Sequence, residues 1–222
     1  MNKDNNKTIK VGDFFDDYAE EFSSIYKEDE KKRSSFDKLM DRVFRKDIED
    51  RFNATLELVS KDSINNVLDI GCGPGHFVVK FLELGKDVTA LDISSNMLDI
   101  TKGRAAHIET NSKFNSILDD YNAHEFDQKF DATCVMGFFD YIEDPVPVLK
   151  KLLKDTEKEI YISFPDNKGI LAIQRRIRYY LRNCPLYLYS KTYIEDCLKE
   201  AGCFEKAEIR KTDRNYFVVI RK

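Results

Sequence analysis

VLDIGCGPGHF, residues 67–77, runs an apolar strand pattern straight into a turn with glycine at Gly71, Gly73 and Gly75, and then into a helical pattern. The chain has only nine glycines among 222 residues, well below the usual share of about 7%. Three of them within five residues mark a turn whose backbone must approach something closely. Strand, glycine turn and helix together open a βαβ unit, and the N–H groups at the start of such a helix favour an anionic group. The next apolar run, VTALDI (88–93), reads as a second strand carrying Asp92, 21 residues after Gly71. An acid at that spacing suits hydrogen bonds from ribose hydroxyls.

The alternation continues outward from this unit. HFVVKFLELG (76–85) reads as a helix closed by Gly85, and SNMLDITKGRAA (95–106) as a second, with Ser94 or Ser95 as N-cap. A third strand is expected near 113–118 and a fourth at FDATCVMG (130–137). A helix opened by Pro145 and Pro147 follows over roughly 145–155, then a fifth strand at EIYISF (159–164). A helix over 191–201 ends at Gly202, and KAEIRK and NYFVVIRK then form a hairpin around a TDR turn. Upstream, Phe36, Leu39, Met40, Val43, Phe44, Ile48, Phe52, Leu56 and Val59 recur at helical steps, which predicts an amphipathic helix over 36–60. The expected architecture is α/β: a doubly wound, seven-stranded, mainly parallel sheet ending in an antiparallel hairpin. One domain is expected over 1–222. It comprises an N-terminal helical cap (1–62), a core (63–166), a basic lid segment (167–190), and a final helix with the hairpin (191–222).

Charge and cysteine usage narrow the classes. Thirty-six Lys and Arg against 40 Asp and Glu leave a net charge of −4, which weighs against a general nucleic-acid binder. The longest run free of formal charge, Ile70 to Val79 with His76 neutral, has ten residues, where a membrane-spanning helix needs about 20. MNKDNNKTIK lacks the apolar core of a secretory leader. The five cysteines, Cys72, Cys134, Cys184, Cys197 and Cys203, form no CxxC pair and lie at no ligand spacing from a histidine. They read as reduced core residues of a cytoplasmic protein, with neither a disulfide framework nor a metal site.

A dinucleotide fingerprint reads G-x-G-x-x-G, whereas this turn is G-C-G-P-G with Asp69 two residues before Gly71. DIGCGPG (69–75) resembles motif I of the class I S-adenosylmethionine-dependent methyltransferases, and ALDIS (90–94) resembles the motif that follows it. FDATCVMGFFDYIEDP (130–145) resembles their fourth strand and its loop, EIYISFP (159–165) the fifth strand, and the last hairpin their sheet end. PLYLYSKTYIEDCLKEAG (185–202) resembles small-molecule O-methyltransferases of the porphyrin and ubiquinone-precursor type.

The resemblance implies a Rossmann-like methyltransferase fold and S-adenosylmethionine as cofactor. Asp69 and the backbone of Gly71, Cys72, Gly73 and Gly75 would hold the cofactor's amino-acid end, and Asp92 its ribose. Ile93 and Met97 would pack on adenine, Asp119 or Asp120 would meet its amino group, Met136 and Gly137 would line the floor, and Tyr18 would cover the site. Many relatives carry Glu-His or His-His where this chain has Asp140 and Tyr141, so Asp140, then Tyr141, become the candidates to accept a proton or orient the acceptor.

Between Asn167 and Ile194 there are six Lys or Arg, five tyrosines and no acid. Residues 168–222 hold 13 basic and 6 acidic side chains, a net of +7, which leaves −11 for residues 1–167. Over 170–182, a helix would gather Ile170, Ile173, Ile177, Tyr180 and Leu181 on one face and Arg175, Arg178 and Arg182 opposite. These arginines, with Tyr189, are the expected substrate contacts, because guanidinium matches carboxylate or phosphate geometry. The rival reading of the same charges is contact with an anionic membrane surface. The expected activity is methyl transfer from S-adenosylmethionine to a small, anionic metabolite at oxygen or nitrogen. The alternatives are an RNA or protein acceptor, or a cofactor-binding module without catalysis.

Overall fold

The computed structural model describes residues 11–12, 16, 49–181 and 184–222. Tyr18, Arg182 and most of the helix expected over 36–60 lie outside the described residues. Helical backbone over 49–59 (α1) precedes β1 (Asn66–Ile70), α2 (His76–Glu83), β2 (Asp87–Asp92) and α3 (Ser95–Ala105). Then come β3 (Phe114–Leu118), β4 (Phe130–Val135), α4 (Pro145–Asp155), β5 (Thr156–Pro165) and α5 (Ile170–Leu181). The chain closes with α6 (Lys191–Glu200), β6 (Ala207–Lys211) and β7 (Asn215–Arg221).

The seven strands form one sheet in the order β3-β2-β1-β4-β5-β7-β6. Strands β1 to β5 pair in parallel, while β7 runs antiparallel to both β5 and β6. The expected architecture is therefore the observed one. The fifth strand is longer than expected, beginning at Thr156 directly where α4 ends.

Both faces of the sheet are covered, so its central strands are apolar on both sides. Alternate residues divide between the two faces. Leu68, Ile70, Ile160, Ile162, Val218 and Ile220 pack with Val148, Leu149 and Leu152 of α4 and Ile194 and Leu198 of α6. Val67, Val88, Ala90, Tyr161, Phe217 and Val219 pack with Val59 of α1, Val78, Phe81 and Leu82 of α2, and Leu98 of α3. Each such fully buried side chain stabilises the fold by roughly 1.5–3 kcal/mol. All five cysteines are buried and unpaired with one another.

The β3–β4 connection contains no helix. Tyr121 fills that place, completely buried, with its hydroxyl donating to Asp155 Oδ2 at 2.9 Å beside Lys151 Nζ at 3.0 Å. Local caps match the sequence. Ser94 Oγ accepts from Met97 N, and Asp144 Oδ1 accepts from Val146 N ahead of the first-turn prolines of α4.

Two glycines test this packing in opposite directions. Gly75 has φ 77°, and a Cβ there would meet Thr101 at 2.7 Å; Gly75→Ala should destabilise the protein by about 2 kcal/mol or more. Gly103 lies inside α3 with nothing within 4 Å of where a Cβ would stand; Gly103→Ala should stabilise by roughly 0.5–1 kcal/mol. Chemical denaturation of the two variants measures both signs.

Candidate cofactor and acceptor site

The sheet order reverses between β1 and β4, and it is at their carboxyl ends that a doubly wound sheet opens a crevice. The glycine turn lies there. Gly71, Gly73 and Gly75 have φ of 64°, 52° and 77°, a region in which a side chain is strained. Gly71 N donates to Leu91 O at 2.8 Å, tying the turn to the end of β2. Asp92 completes that tie: its Oδ2 accepts from Gly73 N at 2.8 Å and its Oδ1 from Ser94 N at 2.9 Å. Helix α3 holds the outer side of the turn, where Thr101 Oγ1 donates to Gly73 O and Arg104 Nη1 to Pro74 O, both at 2.7 Å. Arg104 also lies against His76, whose pKa burial and that cation lower to about 4, so the ring is neutral at pH 7.

Asp69 sits beneath the turn. It is 2% exposed, and its Oδ2 finds no hydrogen-bond partner among the described residues. Burial, and then the nearby Asp92, push its carboxyl up to about 7, against the hydrogen bond from Cys134. Asp92 is also raised, first by burial, with the N–H groups of Ser94, Gly73 and Ile93 opposing. Two acids thus share a buried pocket with one carboxyl oxygen left open.

The end of β4 forms the facing wall. Gly137 has φ 81° and donates its N–H to Ser163 Oγ at 2.9 Å. A Cβ on Gly71 would stand 3.3 Å from the Phe138 ring, so the two loops touch. One short turn later Asp140 is buried, with Arg175 Nη2 2.8 Å from each carboxylate oxygen. Burial pushes the Asp140 carboxyl above its ordinary value, while Arg175, Arg51, Arg214 and Arg178 pull it back. Tyr141 and Tyr179 meet hydroxyl to hydroxyl at 3.1 Å beside it.

The structure brings Asp69, Gly71, Cys72, Gly73, Gly75, Asp92, Gly137 and Asp140 to one crevice. Asp119 joins them through its N–H to Asp92 O at 3.1 Å, and its carboxylate pairs with His124 at 2.8 Å. Asp120 instead caps its own turn, accepting from Asn122 N at 3.0 Å. Ile93 packs near Gly12, Met97 is fully buried, and Met136 is half-buried against the sheet. Of the expected substrate contacts, Arg175 turns inward to Asp140 and Arg178 is exposed, its guanidinium 5.7 Å from the Tyr179 ring. Tyr189 is 2% exposed and donates its hydroxyl to Phe139 O and Ile142 O, so it anchors the chain after α5 to the Asp140 turn.

Several partners escaped the sequence reading. Thr101 and Arg104 clamp the glycine turn, Asp16 accepts from Ser94 Oγ, and Arg51 and Arg214 approach Asp140 from far apart in the chain. None belongs to a local motif that could have signalled it. Among the described residues, no group of three His, Cys, Asp or Glu could hold a metal ion.

Because native Asp69 keeps its proton up to about pH 7 while an unfolded aspartate releases it near 3.9, the native state binds more protons between those values. Stability without added ligand should therefore fall as pH rises from about 4 to 7. Asp69→Asn should remove that part of the slope and raise the thermal midpoint at pH 8 by about 2–4 °C for each kcal/mol recovered. Melting curves from pH 5 to 8 measure this.

The central part of the chain is similar to known methyltransferases. Residues 67–157 match the family described as methyltransferase domain. The ubiquinone biosynthesis O-methyltransferase of Aliivibrio fischeri is 24% identical over 131 residues, covering 59% of this chain and 53% of that protein. That of Proteus mirabilis is 29% identical over 90 residues, covering 40% and 36%. The chain thus spans about half or less of the length of these curated relatives. Magnesium protoporphyrin IX methyltransferase from Synechocystis PCC 6803, solved with bound SAH, superposes with a TM-score of 0.73 at 14% identity, over 97% of this chain and 99% of that one. N-methyltransferase NodS from Bradyrhizobium japonicum WM9, also with SAH, gives 0.59 at 16% identity, over 78% and 86%. These two likenesses concern the fold. Residues 67–157, which hold the glycine turn and the acid ending β2, are thus the part of the chain that is similar to the methyltransferase domain family.

Proposed function

We propose that the protein transfers the methyl group of S-adenosylmethionine to a small, anionic metabolite, at oxygen or nitrogen. The observation that carries the reading is the contrast between two halves of one crevice. The glycine-turn half holds the carboxyls of Asp69 and Asp92, and the β4 half holds a buried Asp140 under the influence of four arginines. An acidic half suits a cofactor bearing an ammonium and a ribose; an arginine-rich half suits an acceptor bearing carboxylate or phosphate.

The residues present fit the cofactor. Asp69 Oδ2 is buried without a partner among the described residues, which suits an ammonium donor. A Cβ at Gly73 would meet nothing within 4 Å, so this stretch of backbone lies open to a ligand. Asp92 keeps lone pairs for hydroxyl donors after accepting two backbone N–H groups. When bound, S-adenosylmethionine supplies an electrophilic methyl group on a sulfonium.

The chain's own task is then alignment and proton handling. Asp140 is fixed by Arg175 and by the N–H of Tyr187, which donates to its carbonyl at 2.8 Å. The rigid carboxylate orients the acceptor, and Oδ1 takes its proton if the accepting hydroxyl or amine must lose one. Burial raises the carboxyl toward the range in which a base is effective, and Arg175 keeps it from being neutralised. Tyr141 and Tyr179 wall the turn on the side of α5.

Calorimetric titration with S-adenosylmethionine tests the cofactor reading; Asp92→Ala should weaken binding roughly 30-fold, about 2 kcal/mol. An unchanged affinity would sink the ribose assignment. Asp140→Asn should lower turnover at least about tenfold with cofactor affinity nearly unchanged, read on a panel of carboxylated and phosphorylated metabolites. Arg175→Gln alone should destabilise the protein by about 3–5 kcal/mol, since it strands a buried carboxylate. Joining it to Asp140→Asn should restore most of that stability but not turnover, which separates the pair's structural role from its role toward the acceptor.

A further inference from the structure

Helix α5 is amphipathic in an unusual sense. Its inward side, Leu171, Ala172, Arg175 and Tyr179, is buried or half-buried, and Arg175 and Tyr179 meet the Asp140 turn. Its outward side carries Ile170, Ile173, Ile177, Tyr180 and Leu181, which are 76%, 58%, 56%, 84% and 77% exposed. At 100° per residue these five fall within an arc of about 100°. Among the described residues, eight large apolar side chains stand exposed, and five of them lie on this one helix. Single exposed apolar residues are ordinary, but a contiguous apolar stripe marks a docking surface.

The rims of the stripe indicate the partner. Arg176 borders one edge, Gln174 and Arg178 the other, all exposed, and exposed Lys168 precedes the helix. No acid occurs from Asn167 to Ile194, in a chain that is acidic elsewhere. A two-fold contact with a second copy would bring these arginines against their own counterparts, an unfavourable arrangement. A helix about 18 Å long with an apolar stripe and basic edges matches one lying in the plane of a lipid interface.

We propose that the outward face of α5 docks on an anionic lipid surface. The five apolar side chains enter the headgroup boundary, and Lys168, Arg176 and Arg178 meet lipid phosphates and carboxylates. No described helix is long and apolar enough to cross a membrane, so this is attachment at one surface. Because the inward side of the same helix bears Arg175 on Asp140, attachment holds the acceptor half of the crevice close to the lipid.

Sedimentation of the full chain with vesicles of phosphatidylcholine, alone or with about one third phosphatidylserine, tests the proposal. It should partition onto the serine-containing vesicles, and less so as salt rises. Ile173→Glu with Ile177→Glu should lower partitioning at least tenfold with an unchanged thermal midpoint, since both positions are exposed. Arg176→Gln should lower it about fivefold, as one basic residue near such a surface contributes about 1 kcal/mol. Equal binding to both vesicles, or to neither, overturns the proposal. So does a dimer in ultracentrifugation that the paired glutamates dissolve, which assigns the face to a second copy. A fall in thermal midpoint without vesicle binding also overturns it, assigning the face to the chain's own N-terminal segment. Should the glutamate pair fail to fold, Ile173→Ser with Ile177→Ser reads the same partitioning.

Discussion

One carboxylate holds the glycine turn and the start of α3 together. Asp92 accepts from Gly73 N with one oxygen and from Ser94 N with the other, so it fixes the glycine turn and the start of α3 at once. Charge-assisted hydrogen bonds of this kind are about twice as strong as neutral ones. With the turn fixed, Thr101 and Arg104 of α3 can reach Gly73 O and Pro74 O, and Gly75 must remain glycine because Thr101 occupies the space beside it. The left-handed turn, the register of α2 and the position of Asp69 all depend on that bracing.

The bracing has an electrostatic consequence. Holding Asp92 beside Asp69 places two acids in one buried pocket, and burial first, then their repulsion, raises Asp69 to about 7. A cationic group entering the pocket relieves both the burial and the repulsion. Asp69 is therefore a locally destabilised carboxyl in the folded protein, a common feature of functional sites. The β4 side solves the opposite problem: Asp140 is buried too, but arginines from α5 and from both ends of the chain surround it.

Helix α5 links this chemistry to the exterior. Its inward side completes the Asp140 ion pair, and Tyr189, anchored on the Asp140 turn, fixes the chain that follows it. Its outward side is the most apolar exposed surface among the described residues. A single twelve-residue element thus has one face tied to the Asp140 turn and another left exposed.

Local rules wrote most of the fold into the sequence. The period of apolar residues, the prolines opening α4, the Ser94 cap and the positive-φ glycines each need only a few neighbouring residues, so strands and helices were legible, as was the crevice at Gly71 to Gly75. The fifth strand's early start was not, because Thr156 to Lys158 join it through pairing with β4 and contacts from Lys222, which are distant in the chain. Asp140 could be named from its place after β4, but not its surroundings: Arg51 and Arg214, 163 positions apart, act on it together with Arg175 only once the sheet order brings them near. The periodicity of α5 separated its apolar and basic residues correctly, yet periodicity carries no information about which side faces inward. The tertiary structure decided that. The Asp140 carboxylate draws Arg175 inward, Tyr179 meets Tyr141, and the isoleucines are left outside because burying them would have left that charge unpaired.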